Sequence, residues 1–413
     1  MSSLTPRPSS PASQRPGLSS GHSTGQLTGQ LSRRRLLGTG AAAGLSLPLL
    51  SALTACGTES NPESAAEDLS STDQSLAVSN WTYYIDVEKG DKTVRPTVEA
   101  FEAEHDLSVT YTEDISDNEE FFLKLRPVLA AGKSTERDIV VLTDWMAAKM
   151  IALDYVEPLD DSNIPHKSNL IPSLQSPPFD PQRSYSLPWQ SGFTAIGYNS
   201  DFVDAPVTSM TELLTRPDLK GKVAVFTEMR DTTGLIMLDQ GADPSNFTDE
   251  EFDNAIAILQ ESVDSGHLRT FANANYGQAL SKGDLVATMT YSGDINQFRL
   301  DNPALELVKP EAGFLLWSDN MLIPRGSVHK TNAELWMNWY YDPAIAAELA
   351  AYVNFICPVQ GAQEEMKKLD KSLAANPLIF PSEEDLQGGS FYRSLTPDED
   401  QRYTAAFTQV RGL

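Results

Sequence analysis

Asp138-Ile139-Val140-Val141-Leu142-Thr143-Asp144-Trp145 is a run of β-branched and aliphatic residues that ends abruptly in a carboxylate and a tryptophan. Short apolar runs bounded by polar residues read as strands, so this one is a strand with chemistry at its end. The same pattern recurs on both sides of it. Strands are predicted at Leu76–Trp81, Leu107–Tyr111, Asp138–Thr143, Thr194–Tyr198, Lys222–Phe226, Leu285–Tyr291, Leu305–Val308 and Met321–Ile323. Helical spacing lies between them, in Val94, Val98 and Phe101, then in Phe121, Leu125 and Val128, where Pro127 is expected to kink or end the helix. Phe252, Ile256 and Leu259 repeat the spacing, and 335–339 and 345–349 supply two more helices. Alternation of this kind means an α/β fold with mostly parallel strands, whose ligands sit in a crevice beyond the carboxyl ends of those strands.

Five strand ends carry aromatic residues, carboxylates or both. They are Trp81-Thr82-Tyr83-Tyr84, Thr143-Asp144-Trp145, Thr227-Glu228-Met229-Arg230-Asp231, Tyr291-Ser292-Gly293-Asp294 and Trp317-Ser318-Asp319. These are materials for holding an organic cation. A ring face attracts an ammonium by about 0.5–2 kcal/mol, and a carboxylate adds a charge-assisted hydrogen bond. Each also has a plainer role: a tryptophan packs a core, and Asp144, Asp231 and Asp294 suit helix caps.

The amino terminus carries an address. Ser32-Arg33-Arg34-Arg35-Leu36-Leu37, a diluted apolar run and Leu53-Thr54-Ala55-Cys56 match a twin-arginine leader closing on a lipobox. Residues 1–55 are therefore expected to be a lipoprotein signal peptide, Cys56 the acylated lipid anchor, and residues 56–75 an acidic flexible tether. Localisation follows: extracytoplasmic, lipid-anchored to the cell membrane but not spanning it. Removing the five arginines of the leader leaves 26 basic against 57 acidic residues, a net charge of −31. Such a surface repels nucleic acid. With Cys56 lipidated, Cys357 has no partner, and two distant cysteines give neither a disulfide nor a zinc signature. No cofactor or metal is expected.

The motifs at these strand ends resemble the extracytoplasmic spermidine/putrescine (polyamine)-binding proteins of ABC importers. The likeness runs from about Leu76 to Leu413, through Trp81-Thr82-x-Tyr84, Asp138-Ile139-Val140-Val141, Phe179-Asp180-Pro181, Tyr185-Ser186-Leu187-Pro188, Thr194-Ala195-Ile196-Gly197, Arg230-Asp231, Trp317-Ser318-Asp319 and Ile323-Pro324. It implies a bilobal periplasmic-binding-protein fold of type II, with lobe 1 from 76–193 plus 318–366, lobe 2 from 194–317 plus 367–413, and crossing segments near Thr194 and Trp317. It implies a monomer that captures a polyamine and delivers it to a permease with a cytoplasmic ATPase. Trp81 and Trp317 would sandwich the aliphatic chain. Asp319 would bind one amine, Asp231 the other end or an inner one, and Glu228 would add a carboxylate. Thr82, Tyr83, Tyr84, Thr143, Trp145 and Tyr291 would complete the site. Two positions depart from the family: Tyr83 stands where it has Glu, with Asp86 the nearest acid, and Cys357 where it has a cleft tyrosine.

Other classes fit less well. Gly-x-x-x-x-Gly-Lys-Ser/Thr and His-Glu-x-x-His are absent, and Gly-x-Ser-x-Gly falls only within the expected leader, which argues against an ATPase or an exported hydrolase. Tyr83-Tyr84 and Tyr340-Tyr341 resemble the tyrosine pairs of ferric-ion binders, but tryptophans have no use at a ferric site. A sugar would suit the aromatics and not the four carboxylates, and a quaternary amine remains a further alternative cation.

Overall fold

The computed structural model describes residues 66–273 and 276–412. The twin-arginine stretch and Cys56 lie outside them. Among the described residues, no helix is long and apolar enough to cross a membrane.

Ten strands form one continuous mixed sheet: β1 (Ser75–Trp81), β2 (Ser108–Ile115), β3 (Ile139–Thr143), β4 (Leu187–Asn199), β5 (Val223–Phe226), β6 (Leu268–Ala272), β7 (Ala287–Tyr291), β8 (Leu305–Val308), β9 (Phe314–Leu322) and β10 (Gly389–Phe391). The order β2-β1-β3-β9-β4-β7-β5-β6 places parallel triplets at either end and two long antiparallel strands, β4 and β9, between them. This is the bilobal α/β architecture with two crossing strands. All thirteen residues of β4 are buried and none is charged, as a strand covered on both faces requires.

Each lobe has its own core. In the first, Leu76, Val78 and Val141 meet Trp189, Trp336 and Tyr340, with Phe121, Leu142 and Met146 on the opposite sheet face. In the second, Val223 to Phe226 pack with Leu235, Met289, Tyr403 and Phe407. Ala374 and Ile379, read from the sequence as lobe 2, pack in the first core.

Four local expectations change. β9 is continuous through Trp317 and Asp319, which the sequence puts at a strand end ahead of a separate strand Met321–Ile323, because β3 and β4 pair with it on both edges. β4 begins at Leu187, seven residues early, for the same reason. The helix Asn118–Ala130 runs through Pro127 without ending. Pro127 deprives the Leu123 carbonyl of its donor, and Leu123 is more than half exposed, so water can serve that carbonyl. Finally, residues 68–75 are no tether. The Asp68 carboxylate accepts from the Thr331 amide and hydroxyl, Ser70 Oγ accepts from the Asn332 amide, and the Asn332 side chain donates to the carbonyls of Asp73 and Ser75. They satisfy the open first turn of the helix Lys330–Tyr340, whose own flanking His329 supplies no cap. Asp68→Ala should therefore destabilise the body by about 0.5–2 kcal/mol in urea unfolding. A change below about 0.3 kcal/mol would mean the segment is merely draped there.

Candidate functional site

Strand register assembles the site. β3 and β9 pair with Thr143 opposite Asp319, and β4 and β7 pair with Thr194 opposite Tyr291. Asp319 accepts hydrogen bonds from Thr143 Oγ1 at 2.7 Å and Tyr84 Oη at 2.9 Å. Across the cleft, in the first turn of the helix Met229–Asp239, Asp231 accepts from Thr194 Oγ1 at 2.7 Å and Tyr291 Oη at 3.4 Å. Thr194 also accepts from Trp317 Nε1 at 3.1 Å, so one hydroxyl orients both an acid and an aromatic platform. Asp294, in the first turn of the helix Ser292–Asp301, accepts from Tyr276 Oη at 2.8 Å. These three acids line one cavity of about 600 Å³ with Trp81, Thr82, Trp145, Glu228 and Trp317.

The electrostatics is lopsided. None of Asp231, Asp294 and Asp319 has a salt-bridge partner among the described residues. Burial raises Asp319 to about 7, with the Asp144 and Asp231 charges adding to it, Asp294 to about 7 and Asp231 to about 6, while the hydroxyl donors pull the other way. Glu228 caps the Met229–Asp239 helix, and burial lifts it to about 8 despite Arg230 at 3.7 Å. A group of unpaired, desolvated carboxylates disfavours its own ionisation and so awaits a cation.

The aromatic walls are held by edge-on and tilted ring contacts. Trp317 lies 5.5 Å from Tyr291 and 5.6 Å from Phe355, and Phe355 in turn meets Tyr84 at 5.2 Å. Gly192 sits opposite Trp317, where a Cβ would come within 2.6 Å of the indole. Trp81 presents a buried Nε1 with no partner.

Ten of the eleven residues singled out from the sequence converge on this cavity. Tyr83 does not. It has a positive φ of 62° and is half exposed, its ring near Lys92 outside the cleft. Asp86 cannot replace an acid there, because its carboxylate is buried against the amide and hydroxyl of Thr97. Cys357 is buried behind the cleft, its thiol pushed up to about 12 by burial. Trp145 reaches the cavity, but the Arg230 guanidinium lies over its ring at 3.5 Å. Asp144, left among helix caps, holds β9 by accepting from the Ser318 amide and the Asn320 side chain. Asp294, Thr194 and Phe355 escaped selection. Asp294 was visible after Tyr291, whereas the roles of Thr194 and Phe355 depend on pairings that no local motif announces. Tyr340 and Tyr341 are core residues, not ligands.

Residues 97–381 match the family of bacterial extracellular solute-binding proteins, and the chain belongs to it. It is a binding protein rather than an enzyme. It is similar to the spermidine/putrescine-binding periplasmic protein of Escherichia coli K12, 25% identical over 316 residues that cover 76% of this chain and 86% of that one. It is also 26% identical over 365 residues, 83% and 93% of the two chains, to the putrescine-binding periplasmic protein PotF of the same strain. The fold is shared with the Tp0655 (TpPotD) lipoprotein of Treponema pallidum, at a TM-score of 0.70 and 21% identity over 82% of this chain and all of the other.

The raised acids set a pH dependence. A carboxylate whose folded value lies above its unfolded value binds more protons folded than unfolded, so stability falls as pH rises between the two. With unfolded values near 4 and folded values of about 6 to 8, the ligand-free protein should lose at least about 2 kcal/mol from pH 5.5 to pH 8. Chemical denaturation at the two pH values checks this. Equal or rising stability would mean the acids are not desolvated as described.

Proposed function

We propose that this protein is the substrate-binding lipoprotein of an ABC importer and that its cleft takes a polyamine of the putrescine or spermidine kind. One observation carries the reading: Asp319 and Asp231 stand on opposite lobes of one cavity, each bonded to hydroxyls and to no cation, with Trp317 between them. Two acids separated by aromatic walls match a chain with an ammonium at each end and methylenes in the middle. The names of the Escherichia coli relatives support the same ligand class. The Trp81 and Trp317 rings would cover the methylenes, and Asp294 would add a further charge to the same cavity. With Tyr83 outside the cleft and Asp86 committed to Thr97, the acids suit a diamine at least as well as a triamine. Closure of the lobes about β4 and β9 would bury the ligand, and the permease with its ATPase would receive it.

Asp319→Asn preserves shape and removes one charge. Leaving an ammonium buried without its counter-ion costs about 3–5 kcal/mol, a loss of roughly two to nearly four orders of magnitude in affinity. Calorimetry should show that loss for putrescine and spermidine, with parent affinities for the two within about tenfold and with ligand-free stability at pH 8 no lower than the parent's. Binding within threefold of the parent, or a variant that unfolds easily without ligand, would make Asp319 a structural residue.

The leader and lipobox support an anchored, extracytoplasmic protein, and the family likeness supports one working as a monomer. Replacing Cys56 with Ser should abolish incorporation of labelled fatty acid in cells. Persistent labelling would refute the anchor.

A further inference from the structure

The cleft has a second charged cluster that no ligand group is needed to explain. Arg230, on the second-lobe helix Met229–Asp239, lies over the ring of Trp145, on the first-lobe helix Asp144–Ala152, with 3.5 Å from Cζ to the ring centre. Its Nη2 pairs with Asp400 Oδ1 at 2.5 Å. The other carboxylate oxygen of Asp400 meets Lys149 Nζ at 3.1 Å, and Lys149 is held in turn by Glu119 at 3.0 Å. Lys149 and Glu119 belong to helices of the first lobe, which packs Met146, Met150 and Phe121 in its core. Asp400 belongs to the terminal helix Pro397–Val410, anchored in the second core through Tyr403, Phe407 and Val410 and tied to Asp249 by Arg402. One carboxylate is thus gripped from both lobes. It does not line the cavity, and it lies beyond the residues that match the family.

We propose that Asp400 is a closure latch: bridging Arg230 of its own lobe and Lys149 of the opposite lobe, it sets how long a captured solute is retained without touching it. Burial works against the Asp400 charge, but Arg230 and Lys149 overcome it and hold the carboxyl below the usual range, so the latch is charged at neutral pH. The Arg230 stack closes over Trp145, which becomes part of the latch more than of the ligand platform. The affinity of a hinged binder falls with the fraction of protein able to close, and an ion pair between the lobes adds to that fraction. Because Asp400 and Lys149 are partly exposed, salt screens the pair.

The proposal rests on the cleft being the solute site, and the test separates the two. Stopped-flow tryptophan fluorescence of the full mature protein should give putrescine and spermidine dissociation rates raised by the same factor, about fivefold, in Asp400→Asn and in Lys149→Met. Association should be unchanged, and the double variant should dissociate no faster than the quicker single one. Salt should accelerate dissociation from the parent and lose that effect in the variants. Unchanged dissociation, or factors that differ between the two ligands, would overturn the latch. A parent that binds neither amine would refute the polyamine reading instead. The latch is then judged by X-ray scattering of the ligand-free proteins: a larger radius of gyration in Asp400→Asn supports it, and equal radii overturn it.

Discussion

The pairing of β4 with β9 is the constraint on which the rest depends. These antiparallel strands run through both lobes, so a single register, with Gly192 opposite Trp317 and Gln190 opposite Asp319, decides what the two lobes offer each other. A slip of one residue would turn every side chain to the other face and remove Asp319 from Thr143 and Thr194 from Asp231. Bulk enforces the register. The space of the absent Cβ at Gly192 is filled by the Trp317 ring, and any larger residue would displace that ring.

Upon that frame the protein holds a set of acids in an unfavourable state. Carboxylates at a surface would be solvated and cost little. Here hydroxyls from Thr143, Tyr84, Thr194, Tyr291 and Tyr276 orient them without neutralising them. A site with resident cations would be more stable empty and would bind an amine less well. Free energy withheld from the fold is thereby returned on binding, which is preorganisation in electrostatic form. The arginines that line the cavity do not spoil this: Arg230 is spent on Asp400, Glu228 and the face of Trp145, Arg393 pairs with Glu399, and Arg183 donates to Asn320 and the Leu174 carbonyl.

Most of this was legible in the sequence, and the failures share a cause. Alternating strands and helices identified the α/β class, and acids beside aromatics marked the cleft, because both are local patterns. What stayed hidden depends on neighbours distant in sequence. Trp317 and Asp319 looked like a strand end because their strand is made continuous by β3 and β4, contributed from more than a hundred residues away. Thr194 looked like an ordinary strand residue until Trp317 and Asp231 were brought to its hydroxyl. Tyr83 looked like a ligand by its place in a motif, but a left-handed backbone turns it away from Thr82 and Tyr84. The acidic, small-residue composition of 68–75 suggested a free tether. Its carboxylate and hydroxyl instead met a helix start with no cap of its own.

The central claim, that buried and unneutralised carboxylates take the cation, is tested most directly by counting protons. Acids raised to between about 6 and 8 are partly protonated at pH 7, and an arriving diammonium must ionise them. Titrating putrescine into the mature protein at pH 7, in buffers of different ionisation enthalpy, should reveal the release of about one proton or more per ligand bound. The release should shrink as pH rises to 8.5. Binding with no proton exchange across that range would contradict the account.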